Sequence, residues 1–104
     1  MPEPPDELQE AMAALWAKAK GPAMDACRRI ADAARGEDAA EHDMARVESH
    51  KLAGMLGMYG LVEAGAAAQA LDAEITGGAL DDAERRPAVV QAATALIELV
   101  EGDR

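Results

Sequence analysis

Apolar residues in this chain recur at intervals of three and four, which restricts it to helices. Leu8, Met12, Leu15, Trp16 and Ala19 set the interval near the start, and Val89, Ala93, Leu96, Ile97 and Val100 repeat it near the end. A strand would show alternation among Val, Ile, Thr, Tyr or Phe, and beyond the short pair Val89-Val90 nothing does. The aromatics are only Trp16 and Tyr59, there is no Phe, and alanine supplies much of the apolar half of the chain. Such side chains suit closely packed helices, and 104 residues leave room for one domain. The expected class is all-α, an antiparallel four-helix bundle with an additional N-terminal helix.

Proline and glycine divide the pattern. Pro2, Pro4 and Pro5 make residues 1–5 a loose tail. The expected helices are 6–19, 23–35, 38–58, 61–76 and 85–101. The first should stop at "KGP", because Gly21 weakens a helix and Pro22 lacks an amide donor. Met24, Cys27, Ile30 and Ala34 nevertheless keep almost the same phase, so a single kinked helix is the alternative. In "RGED", Gly36 can take the left-handed cap position, and Asp38 with Glu41 has capping-box spacing. Gly60 should turn the chain, "TGG" should end the next helix, and Pro87 suits the first turn of the last.

Charge narrows the function classes. A formal net charge of −10 repels a phosphate backbone, so no nucleic acid partner is expected. No apolar run approaches the roughly 20 residues that span a bilayer, and "MPEPPDELQE" has neither the basic nor the apolar region of a signal peptide. Cys27 is the lone cysteine, so no internal disulfide can form and a reducing cytoplasm is the simplest setting. It lies on an apolar stripe and is expected to be packed. Trp16 is expected in the core, and Lys18, Lys20, Arg28 and Arg29 on solvated faces.

The stretch "ESHKLAGMLGMYG" is the informative one. At about 100° per residue, Met44, Ala45, Leu52, Met55, Leu56 and Tyr59 share one side of the helix, and His50 stands on the opposite side. Asp43, Arg46, Gly54 and Gly57 lie near His50 on this construction, with Val47 and Ala53 at the margins and Met58 beside them. Each interior glycine costs roughly 0.8–1.0 kcal/mol against alanine, so a strip of them beside an exposed histidine implies a surface kept low for an approaching macromolecule. Val47 and Met58 would then form an apolar docking rim, or else simply border the core. Glu48 falls inside the apolar arc and needs either the bundle end or a basic partner. His42 has no glycine floor and is expected to be a solvated surface residue. Eight residues separate it from His50, about 12 Å along the axis, so no metal site is expected between them.

"HKLAGMLGMYG" resembles the signature of histidine-containing phosphotransfer (HPt) domains, in which a phospho-accepting histidine precedes a leucine by two residues and glycines by four and ten. Here these are His50, Leu52, Gly54 and Gly60. The resemblance covers most of the chain and implies a four-helix bundle in a phosphorelay. A receiver domain of a hybrid kinase or response regulator would pass a phosphoryl group to His50, and a second receiver would take it away. The chain departs from the family at Ala53, where a lysine is common, and at Met55 and Leu56, where small hydroxyl residues are common. Lys51 and Arg46 are the cations left to meet the phosphoryl oxygens.

The chemistry suits those residue types. A neutral imidazole is a nucleophile, and phosphoryl transfer is mainly positioning and charge stabilisation. Without a loop of the form G-x-x-x-x-G-K-[ST] the chain is expected to bind no ATP and to have no kinase or hydrolase activity. It would need no cofactor of its own, since Mg²⁺ would come with the partner receiver. The expected role is a monomeric phosphocarrier in which His50 accepts the group, Lys51 stabilises its charge, and Arg46, Val47, Ala53, Gly54, Gly57 and Met58 contact the receiver. An adaptor that docks receivers or kinases without chemistry is the rival, and a purely structural bundle comes third.

Overall fold

The computed structural model describes residues 6–102, which form an all-helical bundle of four helices. α1 is Asp6–Arg35, α2 Ala39–Met58, α3 Val62–Thr76 and α4 Arg86–Gly102, with a short 3₁₀ turn at Ala79–Asp81 between the last two. No strand occurs among the described residues. The expected tail at 1–5 lies outside them.

The separate N-terminal helix is corrected. Residues 6–19 and 23–35 are one helix of 30 residues with Pro22 inside it. Pro22 and Gly21 are both exposed, so the carbonyl that loses its amide partner at the proline lies where water can serve it. On the inner face the buried stripe runs through the break, from Trp16 to Ala23, Ala26, Cys27 and Ile30. Burial along that face outweighs the local propensity.

At the next corner Asp38 caps α2 as its spacing predicts. Its Oδ1 accepts from the amides of Ala40 at 2.8 Å and Glu41 at 3.1 Å. Two expectations fail at this corner. Gly36 is not left-handed, because the positive-φ glycines among the described residues are Gly60 and Gly78. His42 is buried, and its Nε2–H donates to the Ala33 and Gly36 carbonyls at 3.0 and 2.8 Å. The imidazole thus serves the end of α1, where the Gly36 amide also reaches the Ala33 carbonyl, at 3.2 Å.

The core is aliphatic. Ile30, Leu56, Leu71, Ile75, Leu80, Leu96, Val89 and Val100 are fully buried, and alanines fill the space between the helices. Trp16 is buried against Tyr59, ring centroids 5.3 Å apart. Contacts between neighbouring helices run in opposite chain order: Trp16, Arg29 and Ala33 of α1 meet Tyr59, Glu48 and His42 of α2. Gly65 and Asp72 of α3 likewise meet Gly57 and Ser49 of α2. Gly60, at φ +72°, makes the turn between α2 and α3 that an L side chain would resist.

Candidate functional site

α2 buries Ala45, Ser49, Leu52 and Leu56 on one side, which turns His50 outward. Its side chain is 84% exposed. Across from it on α3, Asp72 follows the buried Leu71, and its carboxylate joins two neighbours on α2. Asp72 Oδ2 lies 3.1 Å from His50 Nδ1, and Oδ1 lies 3.3 Å from the hydroxyl of the fully buried Ser49. Ser49 Oγ is also 3.1 Å from the Arg46 carbonyl, so one hydroxyl proton serves two acceptors. A carboxylate only accepts, so Nδ1 carries the imidazole hydrogen and the Nε2 lone pair remains on an exposed ring. With its side chain only 20% exposed, Asp72 is tied to the bundle more firmly than the histidine it holds.

The glycines beside His50 are not demanded by packing within the chain. A Cβ at Gly54 or Gly57 would meet nothing within 4 Å. α2 and α3 meet instead at Gly65, where a Cβ would stand in ordinary van der Waals contact, 3.7 Å from the Gly57 backbone. Val47 and Met58 are exposed, 54% and 79%, and Ala53 is half-buried against the core.

The basic residues are arranged differently from the sequence-based expectation. The Arg46 guanidinium is held by Asp43 at 2.6 Å and by Asp81 of the 3₁₀ turn at 2.8 Å. Lys51 lines the groove between α1 and α2, about 220 Å³ and bordered by Pro22, Ala26, Arg29 and Met55, whereas His50 leans to α3. Arg29, exposed as expected, is also the basic partner that Glu48 needed, at 3.1 Å. Lys20 donates to the Glu101 carbonyl at 3.0 Å and Arg28 pairs with Asp25 at 2.9 Å.

Asp72 and Ser49 escaped the sequence reading. Their only signals are a short acid directly after a core leucine in an alanine-rich helix, and a hydroxyl directly before the histidine. Neither signal shows that α2 and α3 bring the two together. Among the described residues no group of three or more His, Cys, Asp or Glu side chains is placed to hold a metal ion, and no helix is long and apolar enough to cross a membrane. Comparison with protein-family models, curated proteins and solved structures returns no match to this chain.

Proposed function

We propose that this chain is a phosphocarrier of the HPt kind, an antiparallel four-helix bundle that relays a phosphoryl group between receiver domains in the cytoplasm. The observation that carries the reading is the pairing of an exposed His50, held at Nδ1 by Asp72, with a glycine strip that no neighbour within the chain requires. The opposed order of contacts along neighbouring helices supports the antiparallel arrangement.

The transfer follows from that geometry. His50 Nε2 attacks the phosphorus of a receiver's aspartyl phosphate, the N–P bond forms, and the P–O bond to the receiver carboxylate breaks. Nδ1 keeps its hydrogen, so the phosphorylated ring carries a positive charge beside Asp72, and the carboxylate compensates it. Donation to a second receiver reverses these bonds. The bare surface at Gly54 and Gly57 leaves room for the receiver's acidic pocket to approach the ring, and Mg²⁺ brought by the receiver would supply charge neutralisation of the phosphoryl oxygens. Val47 and Met58 supply an apolar rim. Lys51 reaches the phosphoryl oxygens only if its stem swings from the α1 side, and Arg46 only by giving up one of its two carboxylates.

That engagement of both cations favours one rival, an adaptor that docks receivers without accepting phosphate. The two readings separate when the chain is mixed with Mg²⁺ and a panel of phosphorylated receivers. Label that is stable to base, labile to acid and absent from His50→Gln is the expected result. Receiver binding without label on the unmodified chain selects the adaptor.

A further inference from the structure

α1 is longer than anything that packs on it. Its 30 residues measure about 45 Å, whereas α2 ends beside Trp16 and the last described turn of α4 lies at Lys20. The first ten residues of α1 therefore project past the bundle, and the molecule is 51 Å long but only 23 by 20 Å across. An isolated helix of this length is marginal in water.

The projecting segment is nevertheless patterned for burial. Leu8, Met12 and Leu15 follow the four-three spacing of a helix-pairing seam. Leu8 and Met12 fall in phase with the partly buried Ala19 and the core residues Ala23 and Ile30, so the inner stripe continues where no helix of this chain covers it among the described residues. Leu8 and Leu15 are 54% and 52% exposed. Exposed Met58 and Val62 sit at the same end of the bundle, flanking the Tyr59 that packs on Trp16.

Charge identifies the occupant. Glu7 and Lys18 are exposed, and no ion pair joins either to another described residue. They lie five residues before and six after Met12 and fall about 20° apart on the helix, on one flank of the seam. Exposed Ala11 and Ala14 lie between them on that flank, small enough for close approach. When two copies of one helix pair antiparallel about a two-fold axis, each flank faces its own counterpart in reverse order. Glu7 of each copy then meets Lys18 of the other. In a parallel pair each flank would instead face the partner's opposite flank, and Glu7 and Lys18 would not meet.

We propose that two copies of this chain dimerise through the projecting segments of α1, antiparallel about a two-fold axis near Met12. The tip of each α1 then reaches the end face of the other bundle that carries Met58 and Val62. The inference does not rest on phosphoryl transfer, though the α1 tip and a docked receiver would share Met58, and it would put a dimer in place of the monomer expected from the sequence.

Sedimentation of the full chain at about 0.15 M salt, from about 1 to 500 µM, tests it. The expected mass climbs from 10.8 kDa toward twice that value. Leu8→Glu with Leu15→Glu should hold it at 10.8 kDa without lowering the thermal midpoint of the dilute bundle. Glu7→Lys and Lys18→Glu should each weaken self-association about fivefold or more, and the two variants mixed should pair with each other in preference to themselves. A wild-type chain that stays at 10.8 kDa throughout, whatever other helix covers the segment, overturns the proposal. So does a dimer that survives the double leucine variant, or charge variants that fail to combine when mixed.

Discussion

Two side chains beside His50 decide different things. Asp72 holds the imidazole at Nδ1, and in the proposed relay it would compensate the phosphorylated ring without touching phosphorus. Asp72→Ala should slow transfer from a phosphorylated receiver about 10- to 100-fold at unchanged KM, with Asp72→Glu recovering part of the rate. Quench-flow with radiolabelled receiver reads this directly, and a merely structural Asp72 would lower the unfolding midpoint and leave the rate alone. Gly54 acts in the opposite sense. Because a Cβ there meets nothing, Gly54→Ala should stabilise the isolated fold by about 1 kcal/mol. In the proposed transfer the same methyl would stand on the receiver's path, and KM should rise. A urea titration and a transfer assay on one preparation check both halves. His50 and its glycines were legible from helical pitch alone, since all lie on one helix. Asp72 was not, because its place beside His50 depends on how α3 packs against α2, 22 residues further along the chain.

At the scale of the element, α1 shows local and tertiary preferences in conflict. Gly21 and Pro22 say stop, and the stripe of Trp16, Ala23, Ala26 and Ile30 says continue. Burial prevails because the break faces water. Pro22→Ala should therefore raise stability by about 1–3 kcal/mol in urea and change helix content little, since both halves are already helical. Two separate helices would show a clear gain in helicity instead. His42 belongs to the same lesson. The sequence shows that it lies away from His50 and its glycines, but only the fold of α1 against α2 brings the Ala33 and Gly36 carbonyls to its ring.

For the molecule as a whole, stability rests on a core of small and aliphatic side chains in which Cys27 is fully enclosed. Burial pushes its thiol from an ordinary 9.0 up to about 11, against a smaller opposing pull from Arg28. The unfolded chain therefore loses this proton first as pH rises. The contribution is complete below pH 9 and is lost as pH approaches 11. Unfolding titrations across that window should show wild type losing up to about 3 kcal/mol more than Cys27→Ala, which starts lower and falls less. Several features were set by the sequence alone: an all-helical chain, the Asp38 cap, the turn at Gly60 and the outward face of His50. All depend on residues within a few turns of one another, where helical geometry dictates position. The tertiary structure decided that α1 runs through its proline, that Asp72 and Ser49 join His50, that Arg46 and Lys51 are drawn elsewhere, and that ten residues of α1 project with an apolar seam. Each of these depends on which helix faces which and where each one ends, and spacing along one chain carries no measure of either.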